Sequence, residues 1–270
     1  MKKRLGMFIM SAFLIGTLTG CDVSVGVRHP DEVQKDSGLN NNVIEDIDEK
    51  VKIEELNRIN ISMNFAKIDI VQSDSNEVEI VSKSNSNVKT KINIEKDKDL
   101  LNIEEEKNKV AINSSNRGRE ISIKIPKQYK GDVTLNYGAG EVHVSDVSMN
   151  NFKINGGAGE LSIDKAKFNN MELNQGVGES NINLEEKCGD IVINGGVGEI
   201  NLTMEEVGGN LRYKGGVGEA NISIPKNSPV YFQTKSGIGS CDVKAITSGE
   251  NKYLFDLLVS IGSVTINNSI

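Results

Sequence analysis

Apolar and polar residues alternate along the C-terminal half of this chain, and the alternation itself repeats. The reference point is the last residue of a short glycine-flanked motif: Glu141, Glu160, Glu179, Glu199, Glu219, Ser240 and Ser263. Eight and six positions before it stand Val133 and Leu135, Phe152 and Ile154, Met171 and Leu173, Ile191 and Ile193, Leu211 and Tyr213. Three positions after it stand Val144, Ile163, Ile182, Leu202, Ile222, Val243 and Ile266. The residues between are polar, such as Lys153, Glu172 and Arg212. A period of two predicts β-strands on both sides of the motif. Ala139, Ala158, Val177, Val197, Val217, Ile238 and Ile261, two positions before the reference, are read as inward-facing. The apolar parity then flips, so a corner is expected at the Gly-Glu step, where glycine accepts positive φ and close stacking. Each repeat is read as two short strands meeting at that corner, followed by a looser return.

The motif reads G-A-G-E at Gly138–Glu141 and Gly157–Glu160. It reads G-V-G-E at Gly176–Glu179, Gly196–Glu199 and Gly216–Glu219, with eroded copies at Gly237–Ser240 and Ser260–Ser263. Successive spacings are 19, 19, 20, 20, 21 and 23 residues. A fixed period of this size indicates stacked repeats, each burying one face against its neighbours. The predicted fold is all-β: a single-stranded parallel β-solenoid, β-helix-like, with a glycine corner in each rung of roughly 20 residues.

Upstream, Ile59, Ile61, Phe65, Ile68 and Ile70 match the phase of the repeat, with Lys67 in place of the glutamate; this reads as a cryptic first rung. Alternating runs at Glu77–Val81, Lys89–Glu95, Leu100–Glu104, Lys109–Asn113 and Glu120–Ile125 lack the glycine corner. They are read as an atypical N-terminal β section, partly antiparallel, as expected of a capping end. A short helical turn is expected within Val43–Leu56, and no helix elsewhere in the body. At the other end, Leu254, Phe255, Leu257, Leu258 and Val259 are apolar on both faces. In the last rung such a run is either covered within the chain or is a docking edge for a second copy or an envelope partner.

The N-terminus has a different grammar. Lys2, Lys3 and Arg4 precede an apolar run from Leu5 to Leu18, a secretory signal too short for an ordinary membrane span. Its ending, Leu18-Thr19-Gly20-Cys21, resembles the lipobox of bacterial lipoproteins. That resemblance implies cleavage before Cys21 and a lipid on its sulfur, which would hold the protein at the outer face of the bacterial cell membrane. The expected organisation is a signal peptide at 1–20, a lipidated cysteine and flexible tether at 21–50, and the solenoid at 51–270. The whole chain has a formal charge of −7, and loss of the signal leaves 28 basic against 38 acidic residues. That balance disfavours nucleic acid and anionic lipid surfaces as partners.

The N-G-G-V-G-E-I-N-L copies, with Asn64-Phe65-Ala66-Lys67-Ile68-Asp69-Ile70, resemble a bacterial "putative adhesin" domain of unknown function. Its relatives include the toastrack domains of cell-envelope stress-response proteins. The resemblance covers about Ile59–Ile270. It implies a β-solenoid, usually envelope-associated, with no established active site.

Candidate chemistry is sparse. Glu141, Glu160, Glu179, Glu199 and Glu219 are expected to stack along one edge, either as a solvated row or as a strip for divalent cations. Neighbouring carboxylates about 4.8 Å apart repel by roughly 0.9 kcal/mol in water, which an exposed edge tolerates. The glycine runs lead into strands and lack the third glycine of a phosphate loop. Asn136, Asn155, Asn174 and Asn194 form either an amide ladder or a row of exposed strand asparagines. The histidines are His29, in the tether, and His143, on an outward position; Cys188 and Cys241 fall about three rungs apart, beyond disulfide reach. No cofactor is called for and no catalytic residue is marked. The reading is a non-catalytic binding, adhesive or envelope-stress-sensing module, with an envelope protein, a wall polymer or another copy as partner. A calcium-dependent wall-polymer binder is the first alternative, and a carbohydrate-active β-helix enzyme the second.

Overall fold

Strand-forming alternation produces strands wherever the computed structural model describes the chain, at residues 46–83, 90–106 and 119–269. Those residues lie within one unit, Val43–Ile270. The signal segment, Cys21, most of the expected tether and the run Lys109–Asn113 lie outside the described residues. The N-terminal section contains β1 (Ile47–Lys52), β2 (Arg58–Ser73), β3 (Glu77–Lys83), β4 (Ile92–Asp97), β5 (Leu100–Glu105) and β6 (Arg119–Pro126). The glycine-cornered repeats are β7 (Asp132–Ser145), β8 (Asn151–Asp164), β9 (Asn170–Leu184), β10 (Asp190–Met204), β11 (Leu211–Ile224), β12 (Val230–Val243) and β13 (Tyr253–Asn268). The expected helical turn at Val43–Leu56 is instead strand β1, whose Ile47 and Val51 pack on the core while it pairs antiparallel with β3.

Strands β2, β7, β8, β9, β10 and β11 stack in parallel, in the register of the repeat phase: Ile191 opposite Met171 and Leu211, and Glu199 opposite Glu179 and Glu219. The cryptic first rung is β2, with Ile59 opposite Val133, Phe65 opposite Ala139 and Lys67 opposite Glu141. Each rung is one continuous strand running through the corner, not two strands meeting there. Before the corner the side chains at minus eight, minus six and minus four turn inward; after it those at plus one and plus three do, as in Phe152, Ile154, Leu161 and Ile163. A second turn uses Asp146 and Lys165, at φ 56° and 55°. It brings Val147, Met149, Ala166 and Phe168 into the same core, which Cys188 and Val207 of the later return segments also join. Burying each Val, Leu, Ile, Phe or Met side chain of this core contributes roughly 1.5–3 kcal/mol, gained only when the repeats stack.

The interior also solves a volume problem at minus four. Tyr137 lies where a Cβ on Gly156 of the next rung would stand, and its hydroxyl donates to Gln175 Oε1 two rungs on, at 2.8 Å. Burial pushes that phenol's pKa up. Tyr137 and Gln175 thus fill the space that Gly156 leaves between them.

Chain order and stack order diverge at the C-terminal end. The sequence runs β11, β12, β13, but the sheet runs β11–β13–β12. Strand β13 is paired on both sides, with Leu257 opposite Tyr213 of β11 and Thr234 of β12. The expectation that Leu254–Val259 forms the terminal rung is therefore corrected. Phe255, Leu257 and Val259 are fully buried in an interior rung, Leu254 is half-buried, and Leu258 faces outward. The physical reason lies in the inward side chains. Strand β13 offers Phe255, Leu257 and Val259, whereas β12 offers Phe232, Thr234 and Ser236. The more apolar strand takes the place covered on both sides.

At the opposite end one rung is completed by two strands. On the side of β2 away from β7, β5 pairs with residues 58–62 and β6 with residues 66–73. Strand β4 is antiparallel to β5, and β3 and β1 follow β6 antiparallel. The expectation of a partly antiparallel N-terminal section holds. The gap between β5 and β6 falls at the corner of β2, where the buried Glu105 carboxylate accepts hydrogen bonds from the backbone N–H of Asn64 (2.7 Å) and of Phe65 (3.4 Å).

Candidate functional site

The repeated corner is the surface that the sequence singles out most strongly, and its geometry follows from two glycine rows. The glycine just before the reference residue has positive φ in every copy, from 128° at Gly159 to 152° at Gly239. The glycine three before it touches the rung below: a Cβ on Gly196 would stand 2.0 Å from the carbonyl oxygen of Gly176. At the copies that carry this glycine, a side chain would keep the rungs from closing to the sheet spacing; Ser260 in β13 and Asn64 in β2 are the exceptions. The residue held between the two glycines therefore points away from the stack.

That residue is the one expected inside. Val177, Val197 and Val217 are 55%, 51% and 46% exposed, Ile238 and Ile261 are 75% and 47% exposed, and Phe65 is exposed too. The inward assignment of this position is overturned. The strand registers align Phe65, Ala139, Ala158, Val177, Val197, Val217, Ile261 and Ile238 in one row across the stack. At the sheet spacing the row is about 34 Å long.

Two positions further along runs the second row: Lys67, Glu141, Glu160, Glu179, Glu199, Glu219, Ser263 and Ser240. The five glutamates stack in sequence along the exposed edge. Lys67 Nζ stands 3.6 Å from Glu141 Oε2 at one end. Glu179 accepts from Asn181 Nδ2 at 2.7 Å, and Glu199 from Asn221 Nδ2 at 3.2 Å. Among the described residues no group of three His, Cys, Asp or Glu side chains is placed to hold a metal ion.

Two amide rows flank these. Asn194 donates to Asn174, Asn174 to Asn155 and Asn155 to Asn136, at 2.8, 2.9 and 2.7 Å. The row continues through Asn60 to Asn102. Of the two readings open for these asparagines, the half-buried amide ladder is the one found. A second ladder, Asn221 to Asn201 to Asn181, at 3.0 Å per step, lies beside the glutamates. The corner is thus a flat strip in which apolar, acidic and amide rows run side by side, each repeating once per rung.

The remaining candidates are scattered. Cys188 is buried on the return side, donates its thiol hydrogen to the Ala166 carbonyl at 3.3 Å, and has its pKa pushed up by burial. It lines the floor of a shallow groove of about 450 Å³ with Lys130, Lys167, Lys187, Asn150 and Asn169. Lys167 and Lys187 are paired with Glu186 and Glu206. Cys188 and Cys241 are free thiols, and His143 is on an outward position. The strip of exposed valines was missed by parity counting. The signal for it was present in the glycines on either side of each valine.

Solved structures with a similar fold include a "putative cell adhesion protein" from Clostridium sporogenes, 17% identical, with a TM-score of 0.40 over 83% of this chain and 100% of that one. A "putative adhesin" from Bacteroides fragilis is 16% identical, with a TM-score of 0.44 over 82% and 97% of the two chains. One from Parabacteroides distasonis is 12% identical, with a TM-score of 0.39 over 84% and 98%. No curated protein matches the chain. The Toastrack DUF4097 family matches residues 56–256, from just before β2 into β13. That span holds the stacked rungs and the corner they build, and the chain belongs to the Toastrack DUF4097 family.

Proposed function

We propose that this protein is an exported, non-catalytic binding module, anchored to the outer face of the membrane by lipid on Cys21. In this reading it presents its corner strip to a cell-envelope protein or wall polymer, in an adhesive or stress-sensing role. The observation that carries the reading is the row of exposed valines set between glycines and beside the glutamates. Monomeric surfaces seldom keep a long contiguous apolar row without a use for it. A strip repeating at the strand spacing suits an extended partner, which can make the same small contact at several rungs.

Two measurements test it. The chain carrying Cys21→Ser should leave the detergent phase that the wild type enters; equal partitioning of both would reject the anchor. In the Cys21→Ser background, the soluble chain should co-sediment with purified bacterial envelopes, and Val177→Ser, Val197→Ser and Val217→Ser together should abolish this. Envelope binding that survives the triple change would move the site off the corner, and no binding by either chain would contradict the proposed role. Chelation of divalent cations is expected to leave binding intact; its loss on chelation would favour the calcium-dependent alternative.

A further inference from the structure

The two ends of the stack are built differently, and the difference points to an interface. At one end the outermost strands β1 and β4 are six residues long and rich in charge: Ile-Asp-Glu-Lys-Val-Lys and Ile-Asn-Ile-Glu-Lys-Asp. Short, charged edge strands resist further pairing. At the other end lies β12, 14 residues long and paired among the described residues only with β13. Of its residues only Val230 is buried, while Tyr231, Ile238 and Val243 are 42%, 75% and 40% exposed. Among the described residues nothing covers the core of the stack here, and one side of the strand has no partner strand.

We propose that a second copy of this chain docks on β12, antiparallel, about a two-fold axis through the Ile238–Gly239 corner. The two stacks then continue as one sheet. Register fixes the pairing. A rotation that exchanges the two arms of the bent strand must superpose the corners, and this sets Phe232 opposite Ala245, Thr234 opposite Val243, and Ser236 opposite Cys241 of the other copy. In the rungs already stacked, the positions of Phe232, Thr234, Ser236, Cys241 and Val243 face inward on both arms, and that of Ala245, just past the end of β12, does so in β9, β10 and β11, as Leu184, Met204 and Ile224. The docked strands therefore keep a common interior, which a one-residue slip would destroy. The same register sets Lys235 opposite Asp242. Lys235 and Asp242 are the only charged residues of β12, and the axis makes this pair twice. A self-complementary charge pair centred on the corner is the feature that favours a second copy over an unrelated strand.

The interface is modest. A 14-residue strand about 46 Å long on a layer about 10 Å thick covers roughly 900 Å² over both copies, the size of a weak, reversible association. Pairing through β12 involves neither the corner strip's partner nor the lipid anchor.

The test is sedimentation equilibrium of the Cys21→Ser chain over a wide concentration range, so that lipid plays no part. The expected result is a monomer–dimer equilibrium with no larger species, because a two-fold interface closes on itself. Lys235→Asp should weaken it by about tenfold or more, by turning two attractive cross-strand pairs into repulsive ones. Lys235→Asp with Asp242→Lys should restore it. Both residues are exposed, so all variants should unfold at the wild-type midpoint. A chain that stays monomeric throughout, assembles without limit, or dimerises equally well with Lys235→Asp would overturn the proposal.

Discussion

A side chain is forbidden at the corner glycines for two separable reasons, backbone conformation and space. Gly198 has φ 143°, and a Cβ there would stand 1.8 Å from the carbonyl oxygen of Gly178, a backbone atom that cannot move aside. Gly249 also has positive φ, 80°, but a Cβ on it would meet nothing within 4 Å. Gly198→Ala is therefore expected to cost about 3 kcal/mol or more, and Gly249→Ala about 1 kcal/mol. Urea denaturation midpoints would measure both, and equal costs would mean that stacking contacts at the corner are slack. The same residues explain what the sequence made legible and what it hid. The glycines announced a corner. They did not announce that it spans four residues, so parity carried through it put the valines on the wrong face. Valine's chemistry reinforced the error, because an apolar residue among strands is usually buried.

At the scale of the element, phase was a reliable guide to pairing partners and a poor guide to their order. Strand β2 was recognisable without any glycine, since Ile59, Ile61, Ile68 and Ile70 fall on the repeat positions and end fully buried. The exchange of β12 and β13 was not readable from phase, because every rung shares one register and fits beside any other. Only the composition of the inward positions distinguishes the two strands. Glu105 was equally hidden, since its role depends on where two other strands stop. It accepts from Asn64 and Phe65 where the pairing of β5 and β6 with β2 breaks off at the corner, and it receives the Thr90 hydroxyl. Its charge also opposes the lowering of the pKa of Arg119 by burial; that guanidinium donates to Ser82 Oγ and to the Thr90 carbonyl. Glu105→Ala should cost about 3 kcal/mol, by stranding two corner N–H groups and weakening the compensation of a buried cation. Glu105→Gln should cost distinctly less, since it keeps an acceptor. Chemical denaturation of the two variants decides this, and equal stability of Ala and wild type would remove Glu105 from the corner.

Among the described residues, the stack has a capped end, an end open at β12 and one corner strip running between them. The cap, β1 with β3 and β6 and β4 with β5, is charged and short-stranded. The strip is continuous because eight strands hold one register, so Phe65 and Ile238 belong to the same row although 173 residues separate them. A partner can reach that row only if it is surface and not part of the core. The most direct test is the unfolding free energy of the chain carrying Val177→Thr, Val197→Thr and Val217→Thr together. Threonine keeps the shape and the strand preference of valine and adds a hydroxyl. On an exposed row the three changes should cost about 1 kcal/mol or less in total. If the valines were packed inside, three buried hydroxyls without partners would cost roughly 3–9 kcal/mol, and a loss of that size would contradict the account.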